Sequence, residues 1–196
     1  GRAELILRLE IARKLLKLED SLSRTKKKLI RLAKEDPVTN LLNSRALFDE
    51  SLKEMGRAAR EMKFISAIMV RIANFREISD REGAMFGNAL LSDFARKLKS
   101  LCRPYDKVGR YGIAEFLIIL PDTGLANAEG TAARIISAMS AAPLPVLQTS
   151  VVIQTCAGIS ELDPTDVARD NDPEGLLRHD RLLDSLIGRS EMAMNR

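Results

Sequence analysis

At 196 residues, with 45% hydrophobic and 30% charged side chains, the chain has material for one globular domain of ordinary size plus an appendage. No apolar run approaches bilayer-spanning length and no cationic-then-apolar leader is present, so the sequence reads as soluble and cytoplasmic, with no membrane contact within it. The net charge of +4 comes from basic residues interleaved with acids, which argues against a nucleic-acid surface, and Cys102, Cys156 and the lone His179 lack the spacing of a disulfide framework or zinc site.

Residues 1–35 contain no Gly or Pro after Gly1 and are rich in Leu, Lys, Arg and Glu, which predicts one long helix. Ile11, Leu15, Leu18, Leu22, Thr25, Leu29 and Leu32 alternate spacings of four and three, keeping one apolar stripe toward a partner helix. The favoured reading is a parallel coiled coil that makes a homodimer; the alternative is a helix folded back on its own domain. Asp36-Pro37 ends this stalk, because proline disfavours helical geometry in the residue before it. Residues 36–196 are then the globular domain.

Within that domain a helix is predicted from about Arg45 to Arg60, and the β-branched, apolar run Ile65 to Ile72 reads as a central strand. Phe75 to Ser100 is mainly helical with a loop around Gly83 to Gly87. Lys107 to Tyr111 and Glu115 to Leu120 form two strands joined by a tight turn. Asn127 to Ala141 is helical, and the Pro143 and Pro145 segment leads to a strand from about Ser150 to Ile159. Glu161 to Leu183 reads as an irregular connection, and Asp184 to Arg196 as a last helix. Strands separated by helices, with one hairpin in the middle, give an α+β plan: a ferredoxin-like, cyclase-palm antiparallel sheet flanked by helices and preceded by the stalk.

Three stretches carry a resemblance to a known family. Asp36-Pro37-Val38-Thr39-Asn40-Leu41-Leu42-Asn43-Ser44-Arg45-Ala46-Leu47-Phe48 is similar to an opening motif Asp-Pro-Leu-Thr-Gly-Leu-x-Asn-Arg-Arg-x-Phe, with Asn40 for Gly and Ser44 for the first Arg. Arg110-Tyr111-Gly112-Ile113-Ala114-Glu115-Phe116 resembles Arg-Tyr-Gly-Gly-Asp/Glu-Glu-Phe, and the segment from Asp184 resembles the last helix of the same family. Together they resemble a GGDEF, or diguanylate cyclase-like, domain over about residues 36–196.

The resemblance implies phosphodiester synthesis from GTP on divalent metal held by carboxylates. At the implied metal positions this chain has Arg71 and Ala73, in Val70-Arg71-Ile72-Ala73-Asn74-Phe75, and Ala114 in the hairpin, where Glu115 keeps one acid. Ile113 stands where glycine admits phosphate, and Ser79 and Asn88 stand where the family's guanine-reading Asn and Asp are implied. These replacements lead to the expectation of a degenerate site: no magnesium, no other cofactor and no enzymatic activity. Arg71 is expected to pair with Glu115 across adjacent strands and close the site by charge compensation; contact with phosphate is its alternative use.

Arg103-Pro104-Tyr105-Asp106 lies at the family's spacing upstream of the hairpin and resembles its product-binding Arg-x-x-Asp motif, the I-site. Arginine can donate two hydrogen bonds to guanine O6 and N7, and aspartate can accept from ring and exocyclic N–H groups. A turn between helix and strand is expected to project both side chains outward. By resemblance Arg134 and Arg57 are accessory ligand contacts, one from the same domain and one from a neighbouring protomer. The leading expectation is a cyclic di-GMP receptor, dimerised by its stalk, with a downstream protein partner. The rivals are a ligand-independent dimerisation or docking scaffold, a GTP-binding regulatory domain without turnover, and a working cyclase with unusual metal ligation.

Overall fold

The structure, a computed structural model, describes residues 1–163, 185 and 187–189. It divides into two compact units, Gly1–Lys34 and Glu35–Arg196. The first is a single helix, α1 (Arg2–Lys34), on which Leu15, Leu18, Leu22 and Leu29 are 56–71% exposed. Thr25, within the same stripe, satisfies its hydroxyl on the Ser21 carbonyl at 2.9 Å.

The second unit runs α2 (Ser44–Glu61), β1 (Ile65–Ile72), α3 (Phe75–Glu82), α4 (Ala84–Leu101), β2 (Lys107–Arg110), β3 (Glu115–Pro121), α5 (Leu125–Ser140), β4 (Leu144–Val146), β5 (Thr149–Val151) and β6 (Thr155–Leu162). Among the described residues, four strands form an antiparallel sheet in the order β2-β3-β1-β6, and β4 and β5 make a separate ribbon. The α+β plan of antiparallel sheet and flanking helices is the one expected.

Strand periodicity explains why β1 reads as a continuous apolar run. Ile68, Val70 and Ile72 point into a core shared with Phe94 of α4 and Ile135 of α5, whereas Ile65, Ala67 and Met69 point to the other face with Leu47 and Met55 of α2 and Ile187. Phe116 begins the buried part of β3 and its ring meets Phe94 at 5.0 Å between centroids. The hairpin is thus anchored in the core by the residue next to Glu115.

Local chemistry sets the boundaries. Asn43 caps α2 by accepting from the Ala46 N–H at 2.8 Å. The expected loop over 83–87 shrinks to Gly83, whose φ of 89° and ψ of 162° separate α3 from α4. An added Cβ there would meet nothing within 4 Å, so the requirement is conformational and not steric crowding. Gly83→Ala is expected to lower stability by about 1–3 kcal/mol, read as a lower urea midpoint at unchanged slope.

The strand expected over Ser150 to Ile159 is divided in two. Asn74 donates from Nδ2 to the Val152 carbonyl at 3.1 Å and accepts from the Gln154 N–H at 2.9 Å, so a side chain takes the backbone groups that a ladder would have used. β6 then extends through Leu162, beyond the predicted strand end. The predicted irregular connection lies outside the described residues past 163. So does most of the predicted last helix, of which Ser185 and residues 187–189 are helical.

The segment 36–42, a lead-in loop, covers the free edge of β2. Leu42 donates to the Val108 carbonyl at 3.3 Å, and its own carbonyl accepts from Arg110 N–H at 2.8 Å. This needs Gly109, since a Cβ there would stand 2.8 Å from the Leu42 carbonyl oxygen. Asn40, at φ 55°, takes the left-handed turn that the resembling motif gives to glycine, a conformation asparagine adopts more readily than most residues.

Candidate functional site

The hairpin tip is organised by Arg110, a residue the sequence reading assigned no role. Its guanidinium donates from Nε to the Gly112 carbonyl at 3.1 Å, from Nη2 to the Ile113 carbonyl at 2.8 Å and from Nη1 to both oxygens of Asp36 at 3.3 Å. Asp36 in turn accepts from the N–H groups of Val38 and Thr39 and from the Thr39 hydroxyl. Burial would raise the Asp36 carboxyl, but the Thr39 hydrogen bonds and the Arg110 charge outweigh it and hold the pKa below the ordinary value.

Arg71 and Glu115 are direct cross-strand partners in the β1–β3 register. The expected ion pair between them is not formed: among the described residues no Arg71 ion pair within 4.0 Å occurs. Glu115 instead folds toward Gly112, where a Cβ would collide with its Oε2 and stand 3.2 Å from its Cδ. Ala114 is buried and its carbonyl accepts from the Ile72 N–H at 3.1 Å, whereas Ile113 is 76% exposed at the tip.

Ser79 lies on α3 and Asn88 on the first turns of α4, on either side of the Gly83 junction. A Cβ on Gly87 would lie 2.8 Å from Ser79 Oγ, and Asn88 is exposed one residue further along. The metal that the resemblance implies finds Arg71, Ala73 and Ala114 at the implied positions, with Glu115 as the hairpin's carboxylate. Among the described residues no group of three or more His, Cys, Asp or Glu side chains is placed to hold a metal ion. Glu115 is the carboxylate that these positions offer, and no chemical step is derived through a metal.

The turn from Arg103 to Asp106 departs from expectation on one side. Arg103 is exposed, with its guanidinium 5.9 Å from the Tyr105 ring centroid. Asp106 does not project outward; it is 3% exposed. The physical reason is closure of the turn: Arg103 N–H donates to Asp106 Oδ2 at 2.7 Å, and Asp106 N–H donates to the Arg103 carbonyl at 3.1 Å. Its other oxygen, Oδ1, is buried without a hydrogen-bond partner. Leaving such an acceptor unmet costs about 1–3 kcal/mol.

Burial pushes the Asp106 carboxyl above its ordinary range, against the Arg103 hydrogen bond and the charges of Arg103, Lys99 and Arg134. The same burial, with the Asp106 charge, pushes the neighbouring Cys102 thiol up to about 11. Arg134 donates from Nη1 to the Leu101 carbonyl at 2.8 Å, which brings α5 to the end of α4 beside the turn. Lys99 donates to the Asp106 carbonyl at 3.3 Å. Arg103, Arg134, Lys99 and Asp106 are therefore one electrostatic cluster.

Arg57 is tied elsewhere: Glu54, one turn before it on α2, lies 2.9 Å from its Nη2 and 3.1 Å from Nζ of Lys107. The i,i+3 spacing of Glu54 and Arg57 was a legible signal for this pairing. Lys107 and Lys99 were invisible as site residues, because one opens β2 and the other lies near the end of α4, and only tertiary packing brings them to one cleft. Both line a cleft of about 300 Å³ together with Asp106, Leu41, Leu42 and Val108.

The family described as "Diguanylate cyclase, GGDEF domain" matches residues 33–179. The response regulator PleD of Caulobacter vibrioides is 32% identical over 149 residues, covering 76% of this chain and 32% of that protein. A diguanylate cyclase of Vibrio cholerae is 31% identical over 152 residues, covering 75% and 47%. The chain thus spans less than half of these relatives' lengths. The solved coiled coil and GGDEF domain of DgcB from Caulobacter crescentus, in complex with c-di-GMP, superposes with a TM-score of 0.70 at 22% identity, covering 87% of this chain and 92% of that one. The expectation of a domain that is not an enzyme is overturned by these relatives, one of them named a diguanylate cyclase at 31% identity. Replaced side chains do not outweigh that likeness, and the hairpin itself is formed, with Phe116 opposite Arg110 and the Gly112 N–H on the Glu115 carbonyl at 3.2 Å. On the match across residues 33–179, the chain belongs to the GGDEF, diguanylate cyclase, family.

Proposed function

We propose that this domain acts in cyclic di-GMP signalling by binding the cyclic dinucleotide through Arg103, Asp106 and Arg134. The observation that carries this is the cluster itself: an exposed guanidinium, a second arginine from α5, and a buried carboxylate with one oxygen unmet. These groups supply donors for guanine O6 and N7, positive charge for phosphate and an acceptor for the base N–H groups. The c-di-GMP complex of the structurally similar DgcB domain supports the ligand class. Arg57 joins by exchanging its Glu54 partner for ligand. No metal is needed for these contacts, and titration calorimetry with cyclic di-GMP tests them.

The stalk is the proposed dimerising element. An isolated helix gains little from leucines left in water, so a parallel partner would bury the Leu15, Leu18, Leu22 and Leu29 stripe. Replacing Leu18 and Leu22 together with lysine is expected to halve the mass in sedimentation equilibrium while the domain's melting is retained.

A second reading, cyclase activity on GTP, is favoured by the name and identity of the Vibrio cholerae relative. Glu115 is the acid on which it would depend. Cyclic dinucleotide formed from GTP and magnesium is expected to fall at least about a hundredfold in Glu115→Gln; product formation equal to the parent would remove Glu115 from the reaction.

A further inference from the structure

We propose that residues 24–34 of the stalk hold the protein electrostatically against an anionic lipid surface. The chain has 31 Lys and Arg against 27 Asp and Glu. Arg24, Lys26, Lys27, Lys28, Arg31 and Lys34 stand together with no acid between Asp20 and Glu35, so the rest of the chain carries more acid than base. The whole positive excess thus sits on one stretch, although charges interleave elsewhere. The stretch lies within α1, which rises about 1.5 Å per residue, so these cations fall within roughly 15 Å of helix axis. That is about two screening lengths at physiological ionic strength, and the cations act as one field. Arg24 has Asp20 one turn before it at 2.7 Å, and the sequence of α1 supplies no acid after Asp20. The helix dipole accounts for Arg31 and Lys34 in the last turn and not for the four before them.

Charge distribution and residue type select the partner. Arg24, Lys26 and Lys34 are exposed, and helical spacing puts Lys26 beside the Leu22 and Leu29 stripe and the other two on faces away from it. Positive charge therefore surrounds the helix instead of forming a strip matched to one protein groove. Four of the six cations are lysines, flexible and strongly hydrated point charges that suit a layer of mobile phosphate headgroups better than fixed carboxylates. Leu29 and Leu32 continue the spacing of the stripe through the stretch, so helices paired there stay together and do not part to straddle a nucleic-acid duplex. Clusters of about four to eight Lys and Arg on a helix bind anionic headgroups, each residue adding roughly fivefold in affinity. With the leucines taken by the partner helix of the proposed dimer, the attachment is by charge and not by apolar insertion. No helix among the described residues is long and apolar enough to cross a membrane, so the contact is peripheral. It replaces the expectation of no membrane contact, which rested on the lack of a spanning run.

The test is co-sedimentation of the full chain with vesicles of phosphatidylglycerol and phosphatidylcholine, against vesicles of phosphatidylcholine alone. Binding is expected to the anionic vesicles only, and to be lost at about 1 M salt, where the screening length shrinks to about 3 Å. The triple variant Lys26→Gln, Lys27→Gln and Lys28→Gln leaves the leucine stripe intact and substitutes a good helix former. Its affinity for anionic vesicles is expected to fall about a hundredfold, with helicity by circular dichroism and sedimentation mass as in the parent. The salt series on the unmodified protein is independent of how that variant folds. No binding to anionic vesicles, equal binding to phosphatidylcholine alone, retention at high salt, or parental affinity in the folded triple variant each overturns the proposal. Preference for duplex DNA over anionic vesicles in direct competition overturns it in favour of a nucleic-acid contact. Cyclic di-GMP affinity is expected to be parental in the triple variant, so failure of the lipid contact leaves the proposed function standing.

Discussion

If the proposed ligand role of Arg103 holds, Arg103→Ala is expected to weaken cyclic di-GMP binding by roughly ten- to a hundredfold in titration calorimetry, about 1–3 kcal/mol, the worth of a bidentate arginine contact to guanine. The side chain is exposed beside the Tyr105 ring, so its loss is expected to leave the fold intact, while Asp106 loses one neighbouring positive charge. Asp106 is a different kind of residue, since Oδ2 closes the turn that presents Arg103. Asp106→Asn keeps an oxygen for the Arg103 N–H and tests the charge, whereas Asp106→Ala would also open the turn. Chelation of divalent metal with EDTA is expected to leave the affinity unchanged. Equal binding by Arg103→Ala and the parent would sink the assignment.

Arg110→Ala is expected to lower stability by about 1–3 kcal/mol, the cost of losing charge-assisted hydrogen bonds and leaving a partly buried carboxylate without its cation. Asp36 and Arg110 side chains are 16% and 18% exposed, and the guanidinium also holds the two carbonyls of the hairpin tip. The pair carries a pH signature. The folded-state pKa of Asp36 is depressed, so its contribution is fully present above the ordinary carboxylate value near about 3.9 and is lost as pH falls through the folded value. Asp106 has the opposite sign, because its folded pKa is raised: stability drops as pH rises from the ordinary value through the folded one. Urea midpoints below pH 5 are expected to fall less steeply with acid in Asp36→Asn than in the parent; identical acid limbs would refute the role given to Asp36.

Elements with strong local signals were legible in the amino-acid order. Ile65 to Ile72 was predicted as the strand that formed, and the hairpin arms agree to within a residue. The misses share a cause. Asn74 divides the predicted strand near Ser150 by reaching residues 78 and 80 positions away, and Gly83 alone, where a loop was expected, turns the chain between two helices. At the site, Arg103 was correctly seen as exposed, but Asp106 was placed outward when it is folded in. The predicted Arg71–Glu115 pair had the correct register and the wrong partner geometry, since facing positions on a sheet do not dictate where long side chains turn.

The sequence by itself determined the α+β architecture, the arms of the hairpin and the exposure of Arg103. Periodic apolar runs, turn residues and motif spacing act over a few neighbours and need no distant partner. Tertiary structure alone decided that Arg110 grips Asp36 across 74 residues, that Glu54 holds both Arg57 and Lys107, and that Asp106 keeps one oxygen unmet beside a cleft walled by the lead-in loop. Those outcomes depend on burial and on which charge arrives first within hydrogen-bond reach, and both are set by packing between elements far apart in the chain.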